Sequence, residues 1–473
     1  MSRSRVAVAW SLVTVLLAAA PPAAHAAGFL LFEQSGRALG SAYAGEGAIA
    51  ADPTTIFYNP AGLTLLDGTQ IAGSGFLVWT HFFFENRGSH LSDSVLNSAG
   101  MGGEPLTGGN GGNAGSAQPL SSGFISHRLT DRVSLGLGVS APFGLQTEWP
   151  RGWVGRYSAR FAQVQSFNFN PSLAVRVTDW LSLGGGANAE YVNATLTNNL
   201  DLGTLCEVLG PTKGIPSAAC PLVGLSPQKV DGYVNLKGNS WAAGYNFGAL
   251  FSPTSSTRIG LTYRSRMQHN IEGFADFRLP KQGQIIPKMT GELVSTPASV
   301  DVTFPDRASI SLYQQVFDEW AFLADFTWSH WSLFKALQIN FANPKQTPLT
   351  EQEDWNNSER YALGMVWTPS KVWTGRFGTA YDFTPIPDRE HRTPRIPDAD
   401  RIWLTFGLGY RPTTRLRFDV SYGHIFSPRS STRNSTPLTG ELVGNFRSFG
   451  DLFAFQATYD IDWTFSDPWG EPM

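Results

Sequence analysis

The sequence predicts an all-β fold, a transmembrane antiparallel β-barrel of about 14 strands with a plug in its lumen. Three observations predict it: a composition poor in charge, long segments in which apolar and polar residues alternate, and connections that alternate between short and long. Only 15% of the 473 residues are charged, while 13% are aromatic and 49 residues are Gly. Soluble domains carry roughly 25% charged residues. Because 35 Lys and Arg face 38 Asp and Glu, no nucleic-acid partner is expected.

Residues 1–26 have the pattern of a secretory signal peptide. Arg3 and Arg5 precede an apolar run over residues 6–20, and the small residues Ala24 and Ala26 are the third and the first residue before the expected cleavage site. The alternative, a single anchoring helix, is disfavoured because the run is short and ends at two prolines. Beyond it, no uncharged run approaches the roughly 20 residues of a membrane-spanning helix. The sequence therefore predicts export, with cleavage after Ala26.

Alternation with a period of two predicts the strands. Near the C-terminus the apolar series Phe453, Phe455, Ala457 and Tyr459 is interleaved with Ala454, Gln456, Thr458 and Asp460. Many such segments exceed ten residues, whereas strands of soluble sandwiches usually have about 5 or 6. About 14 segments of this kind lie near residues 69–84, 120–128, 132–141, 161–177, 180–197, 235–251, 256–275, 298–316, 319–338, 357–368, 372–384, 400–411, 414–427 and 447–465.

The connections alternate between turns as short as residues 129–131 and loops as long as residues 198–234. An even number of long strands with short turns on one side is typical of a bacterial outer-membrane barrel, which closes because lipid tolerates no unpaired sheet edge. We assign residues 69–465 to the barrel and 466–473 to a C-terminal extension. Six tryptophans near strand ends are expected in the interfacial girdles: Trp180, Trp241, Trp320, Trp331, Trp373 and Trp403.

A barrel of this kind resides in the outer membrane of a Gram-negative bacterium. Its expected partners are outer-membrane lipid, lipopolysaccharide and the barrel-assembly machinery, and a monomer is expected. The two cysteines, Cys206 and Cys220, lie in a long loop rich in Gly and Pro. In an oxidising compartment such a pair most simply forms a disulfide. No cofactor and no metal site is expected.

Residues 27–68 precede the first clear strand and show no strand alternation. Gly36, Gly40, Gly45 and Gly47 lie among other small residues, followed by an Asn-Pro-Ala sequence beginning at Asn59. An exposed and dispensable leader is one interpretation. A plug inside the lumen fits better, because small residues let the backbone pack closely in a space that wall side chains cannot fill.

Several separated motifs closely resemble the FadL-like outer-membrane transporters for long-chain fatty acids and aromatic hydrocarbons, whose plug is called the hatch. The resemblance covers essentially the whole mature chain, and the motifs occur in the family's order. They are residues 28–33, 38–50 and 59–61, Leu261-Thr262-Tyr263-Arg264-Ser265, Trp328-Ser329-His330-Trp331-Ser332 and residues 396–404.

The resemblance implies a 14-stranded barrel with an N-terminal hatch at residues 27–68. It implies that hydrophobic substrates are captured at extracellular loops, pass to a lumen pocket and leave sideways through a kink in the third strand. The hatch residues Asn59, Pro60 and Ala61 are expected at that kink. The matching strand continues into Pro142, Phe143 and Gly144; Pro cannot donate to a ladder, and Gly commonly marks a bulge. The alternative is that Pro142 merely ends the strand.

The head-group site departs from the family pattern. Fatty-acid-binding members hold the carboxylate with an Arg and a Lys, at positions that correspond here to Asn198 and Gln338. Lys335 lies three residues before Gln338, an odd offset that would place it on the opposite strand face. An unpaired buried carboxylate is costly, so this loss favours an uncharged ligand. The choice between a fatty acid and a hydrocarbon stays open.

Apolar side chains supply the other candidate site residues. Leu200, Leu202 and Leu205 are candidates for outer capture, and Phe29, Leu30 and Phe32 for the pocket or gate, with simple packing of the hatch as the alternative. Transport is expected to be passive, since no nucleotide-binding loop is present. The protein is not expected to be an enzyme, because no G-x-S-x-G supports a lipid hydrolase. A general diffusion porin is the other alternative.

Overall fold

The computed structural model describes residues 28–92, 103–212, 216–436, 438 and 440–461. The expected signal peptide and the C-terminal extension at residues 466–473 lie outside the described residues. Within them, the chain forms a closed antiparallel barrel of 14 strands, as predicted. Closure comes from the pairing of the first and last strands, which runs from Thr69 opposite Ile461 to Asn86 opposite Gly444. The first and last strands therefore leave no free edge where the barrel closes.

Several strands are divided into two pieces, which we label a and b. The strands are β1 (Thr69–Asn86), β2 (Ala117–Arg128), β3a (Val133–Ser140), β3b (Gly144–Glu148), β4 (Phe161–Arg176), β5 (Leu181–Asp201), β6 (Asp231–Thr254), β7a (Thr257–Arg264), β7b (Met267–Arg278), β8a (Thr296–Phe304), β8b (Arg307–Phe317), β9a (Trp320–Ser329), β9b (Ala336–Phe341), β10a (Leu349–Gln352), β10b (Ser358–Trp367), β11 (Trp373–Asp382), β12 (Arg401–Tyr410), β13a (Leu416–Phe426), β13b (Ser430–Thr436) and β14 (Gly440–Ile461).

The alternation in sequence becomes an inner and an outer face. On β14, Phe453 and Phe455 are exposed on the outer face, whereas Leu452, Ala454 and Gln456 are buried on the inner face. The apolar outer face suits lipid, and the small and polar inner face suits a filled lumen.

Four of the six tryptophans are exposed, as a girdle position requires: Trp180, Trp241, Trp320 and Trp373. The girdle prediction is wrong for Trp331 and Trp403, which are buried inside the barrel at 1% and 2% exposure. Trp403 is held there because its indole N–H donates to the buried Asp382 carboxylate at 2.8 Å. A strand-end position alone does not decide which face a side chain occupies.

The hatch fills the lumen with three short helices, α1 (Gly36–Leu39), α2 (Glu46–Ile49) and α3 (Thr55–Tyr58), and a 3₁₀-helix, Pro60–Leu65. Its small residues permit contact between backbones: a Cβ placed on Gly40 would lie 2.8 Å from the Cα of Gly407 in β12. Arg37 ties the hatch together by pairing with both Glu46 and Asp52, and Arg417 of β13a also reaches Asp52 at 3.0 Å.

The extracellular loops add α4 (Leu202–Thr212), α5 (Ala219–Leu222) and α6 (Ile285–Thr290). Further 3₁₀ turns lie at Gln282–Gln284 and Trp331–Leu333. In the part of the chain that the structure describes, no helix combines the length and apolarity needed to cross a membrane.

Candidate functional site

A gap in the wall lies between β2 and the third strand. The ladder between them ends at the pair of Gly123 and Val139, and among the described residues no ladder pair joins residues 117–122 of β2 to β3b. Above the gap, the Glu148 N–H donates to the Ala114 carbonyl at 2.9 Å. We call this bounded opening the window. It exposes backbone groups of the third strand that the neighbouring strand leaves unpaired.

The third strand is divided at residues 141–143, which face only two residues of β4. Ser140 pairs with Asn168 and Gly144 pairs with Gln165, so one residue is in excess on the third strand. Pro142 lies at the centre of this bulge, where it has no N–H to donate to either neighbour. The strand resumes after the bulge, which disfavours the alternative that Pro142 merely ends it.

The first described residues of the hatch occupy the free edge at the window. The Leu31 N–H donates to the Pro142 carbonyl at 2.8 Å, and the Gly144 N–H donates to the Phe29 carbonyl at 3.1 Å. Leu30 and Phe143 are therefore paired as in a short antiparallel ladder. We call residues 28–31 the gate segment, because it takes the place of β2 beside the divided strand.

Gln34 extends the contact between the hatch and the third strand by one residue, to Ala141. Its side-chain amide donates to the Ala141 carbonyl at 2.8 Å and accepts from the Ala141 N–H at 3.0 Å, while Ser122 of β2 donates to the Gln34 carbonyl at 2.7 Å. The amide side chain thus satisfies both backbone groups of Ala141. Sequence reasoning missed this residue, although a Gln among small and apolar hatch residues was a visible signal.

A cavity of about 280 Å³ lies behind the window. It is lined by the gate segment, by Leu120 of β2, by Phe143 and Leu145 around the division, and by Phe167, which is exposed on the outer face of β4. We call it the window cavity. Its lining reaches from the hatch to the lipid-facing surface.

Charged groups line one side of the window cavity. Arg401 pairs with Asp398 at 2.6 Å and donates to the Gly28 carbonyl at 2.7 Å, which tethers the gate segment. Glu33 lies nearby, and burial raises the pKa of its carboxyl to about 7. A protonated Glu33 adds no charge to the cavity.

A second cavity of about 110 Å³ lies deeper in the lumen, and we call it the inner cavity. Its wall is almost entirely apolar, with side chains from β4 to β9 such as Val192, Ile271 and Phe304. Phe29, Leu145 and Val164 line both cavities, so they form the partition between them. Phe29 is packed in an aromatic cluster, 4.7 Å from the ring of Trp331 and 5.4 Å from that of Phe304.

The other predicted pocket residues lie elsewhere. Phe32 is buried, and the Arg360 guanidinium carbon lies 4.7 Å from the centre of the Phe32 ring. Phe32 lines neither of these cavities. Lys335 is exposed and also lines neither, although its carbonyl accepts from the Glu353 N–H. Gln338 is exposed, and Asn198 donates to the Tyr157 carbonyl at 3.2 Å.

The Asn-Pro-Ala sequence lies against β5, β6 and β7a rather than at the division of the third strand. Asn59 donates to the Ala249 carbonyl of β6 at 3.1 Å. A Cβ on Gly248 would lie 1.9 Å from Asn59 Oδ1, and one on Gly184 would lie 2.4 Å from the Ala61 nitrogen. The wall glycines make room for this sequence, whereas Gln34 and the gate segment contact the division.

The predicted capture residues belong to an apolar loop cluster. Leu202 and Leu205 are buried in it beside Cys206, Cys220 and Ile286, and Leu200 packs against its edge. A groove of about 70 Å³ opens on this cluster, lined by Leu205, Leu209, Ile285 and Met289 among others. We call it the loop groove. The disulfide between Cys206 and Cys220 joins α4 to α5 beside it.

Removing this disulfide in the double variant Cys206→Ala/Cys220→Ala is expected to loosen the loop groove. The bond closes a segment with a sequence separation of 14 residues, and closing about 15 residues contributes about 3 kcal/mol in the chain-entropy model. We expect faster proteolysis of the loop in the double variant than in wild type. Unchanged proteolysis would contradict a structural role for the bond.

The sequence is similar to those of known outer-membrane proteins over almost its whole length. The family model described as outer membrane protein transport protein (OMPP1/FadL/TodX) matches residues 16–461. The long-chain fatty acid transport protein of Escherichia coli O6:H1 is 28% identical, covering 95% of this chain and 97% of that protein. Outer membrane protein P1 of Haemophilus influenzae is 28% identical, with 95% and 99% covered.

Solved structures share the fold. A Pseudomonas aeruginosa FadL homologue superimposes with a TM-score of 0.81 at 24% identity, covering 92% of this chain and 100% of that one. The Pseudomonas putida toluene transporter TodX gives a TM-score of 0.67 at 14% identity, with 92% and 100% covered. Because the family model spans most of the chain, this protein belongs to the OMPP1/FadL/TodX family of outer-membrane transport proteins.

Proposed function

We propose that this outer-membrane protein takes up hydrophobic compounds passively and releases them sideways into the membrane. The ligand is captured in the loop groove, enters the inner cavity, passes Phe29 into the window cavity and leaves between β2 and β3b. One observation carries the proposal: two cavities in series share a partition, and the second ends where the wall ladder is interrupted.

The energetics favour a lateral exit over release into water. An apolar chain of about 15 methylenes gains about 0.8 kcal/mol per CH₂ in an apolar site, so returning it to water would cost about 12 kcal/mol. Passing from an apolar cavity into lipid changes its surroundings little. A passive protein can therefore release such a ligand to the bilayer without an energy source, whereas an axial exit into the periplasm would trap it.

The gate segment must move for this route to open. It is held to the third strand by two backbone hydrogen bonds and to Arg401 by a third. Gln34 anchors the chain just beyond it through Ala141 and Ser122. We propose that residues 28–31 swing away from the window while Gln34 stays in place, so that the rest of the hatch keeps the lumen closed.

Restoring a regular third strand is expected to abolish uptake. Deleting Pro142 removes the excess residue opposite β4 and, with it, the one residue of the bulge that has no N–H, while Phe143→Thr places a β-branched residue in the restored strand. Uptake of a radiolabelled fatty acid or of toluene by cells producing the variant should fall to background. Heat-modifiable migration on gels checks that the barrel still assembles, and Leu137→Val on the exposed face of β3a is the matched control.

Two results would count against the proposal. Unchanged uptake by the folded variant would refute the lateral route. If liposomes that contain the intact protein swell rapidly in sugar solutions, the protein is a general diffusion porin, which would contradict the hydrophobic-transport proposal.

A further inference from the structure

The outer face of four neighbouring strands changes character where the strands are divided. Strands β7 to β10 pair in order around the wall, and each consists of two pieces. On the periplasmic pieces, β7a, β8b, β9a and β10b, the outer face carries exposed apolar side chains such as Leu261, Ile310 and Leu363. On the extracellular pieces, β7b, β8a, β9b and β10a, the outer face is mainly polar.

The polar part of this face consists mostly of amide side chains. Ile271, Val302 and Ile339 line the inner cavity, so the residues that alternate with them face outward. The exposed polar residues are Gln268, Asn270 and Glu272 on β7b, Asp301 on β8a, Gln338 and Asn340 on β9b, and Thr350 and Gln352 on β10a. We call Gln268, Asn270, Gln338, Asn340 and Gln352 the amide face.

The change in character lies at the expected outer boundary of the apolar band. Trp320 and Trp367 are exposed and stacked, 5.8 Å apart, at the periplasmic ends of β9a and β10b. Trp328 lies near the other end of β9a. The roughly 8 residues between Trp320 and Trp328, at about 3.4 Å each on a strand tilted by about 40°, rise about 21 Å, which is close to an apolar band of about 25 Å. The extracellular pieces therefore project beyond the hydrocarbon, among the head groups of the outer leaflet.

A charged cluster lies at this boundary. Asp306, between β8a and β8b, is contacted from both neighbouring strands: Arg266 Nε lies 3.4 Å and His330 Nδ1 lies 3.1 Å from its carboxylate. The Tyr263 hydroxyl also donates to Asp306, at 3.4 Å. The Asp306 side chain is only 7% exposed, whereas that of Arg266 is 45% exposed. The Arg266 guanidinium can therefore bind a second acceptor outside the protein while Asp306 holds it in place.

We propose that this surface binds lipopolysaccharide, with Arg266 on a phosphate of the lipid A head group and the amide face on the sugars above it. A guanidinium matches the oxygens of a phosphate in geometry and charge. An amide side chain carries two donors and an acceptor, which suits the hydroxyls of a sugar. A phospholipid head group is smaller than this surface, so it would occupy Arg266 and leave the amide face without a ligand.

The acidic side chains of the outer face restrict where the phosphate can bind. Asp301 lies opposite Asn270 in the ladder and accepts from its side-chain amide at 2.7 Å. Asn270 follows Arg266 by roughly 13 Å along the strand, and Glu272 lies further on. The phosphate is therefore expected beside Arg266, away from both carboxylates. Sugar hydroxyls can donate to Asp301 and Glu272 instead.

Binding of lipid A to the purified full-length protein in detergent tests the phosphate contact. The probes are lipid A with both phosphates and the same molecule with its phosphates removed. We expect wild type to bind the phosphorylated form about tenfold more tightly, and Arg266→Gln to lose most of this preference. Arg266→Lys should restore part of it. Arg433→Gln on β13b removes an arginine of similar exposure and is the matched control, which should keep the wild-type preference.

Lipopolysaccharide that carries its core sugars tests the amide face. Wild type is expected to bind it more tightly than free lipid A, because the sugars add hydrogen bonds. The double variant Gln338→Ala/Asn340→Ala should lose most of this gain, with binding of free lipid A changed by less than about twofold. Heat-modifiable migration on gels checks that each variant assembles.

Four results would count against the proposal. Equal binding of the two lipid A forms by wild type, or an unchanged preference in Arg266→Gln, would overturn the phosphate contact. A matching loss in Arg433→Gln would show that any exposed arginine has this effect. Phosphatidylethanolamine bound as tightly as lipopolysaccharide would show a general phospholipid surface. If Arg266→Gln does not assemble, the comparison of the probes on wild type decides. These measurements are independent of the transport route, because the surface lies outside the lumen.

Discussion

A disulfide between cysteines introduced by Leu30→Cys and Phe143→Cys is expected to reduce uptake to background, and a reductant is expected to restore it. The two residues are directly opposed, because the flanking hydrogen bonds join Leu31 to Pro142 and Gly144 to Phe29. Such a pair has Cα atoms about 4.5 Å apart, which a disulfide can bridge. The bond would hold the gate segment on the third strand and keep the window closed.

Three controls make this result interpretable. Each single cysteine variant should transport, since neither can form the bond. Wild type with and without reductant shows the effect of opening the native disulfide between Cys206 and Cys220. Transport by the oxidised double variant, with the cross-link verified by mass spectrometry, would show that the gate segment need not leave the third strand.

Removing the charge at the centre of the hatch should open the lumen to polar solutes. Arg37 is buried at 3% exposure and pairs with Glu46 and Asp52, which are equally inaccessible. Although burial alone would raise it, the guanidiniums of Arg37 and Arg417 hold the pKa of Asp52 well below its usual range. Arg37→Met leaves buried carboxylates without this partner, and breaking such a pair costs about 3–5 kcal/mol. We expect sugar-driven liposome swelling that wild type does not show.

Two further variants test the cause of this leak. Adding Glu46→Gln to Arg37→Met removes one uncompensated buried charge and should partly restore closure. Arg278→Met breaks an exposed pair with Asp276 and should leave permeability unchanged, since surface pairs contribute about 0–1 kcal/mol. Swelling equal to wild type in Arg37→Met would show that packing alone retains the hatch.

The wall was predictable because its information is local. A lipid-facing strand must be apolar at every second residue. The sequence of a segment such as 447–465 is therefore enough to predict a strand there, whatever its neighbours in the barrel are. The alternation of short and long connections then orders the strands, and β1 and β14 close because lipid tolerates no edge. The cluster of Gly and other small residues at 36–47 indicates a plug, and this signal too comes from one short segment of the sequence.

The site was less predictable because it is made by contacts between distant segments. Trp331 and Trp403 were predicted near strand ends, as the exposed Trp373 was, yet both side chains are buried inside the barrel. Trp403 is held there by its hydrogen bond to Asp382. Gln34 acts through Ala141, more than a hundred residues away. The motif predicted that Asn59 lies at the division of the third strand. Asn59 instead packs against β5 and β6, where wall glycines leave room for it.

By itself, then, the sequence determined an exported, plugged barrel of 14 strands and the family to which it belongs, since periodicity, composition and motif order are properties of neighbouring residues. Only the tertiary structure decided which hatch residues meet the divided strand and which side chains line the two cavities. Phe29 lies between the two cavities only because the gate segment, the divided third strand and β4 come together there, and these segments are far apart in the sequence.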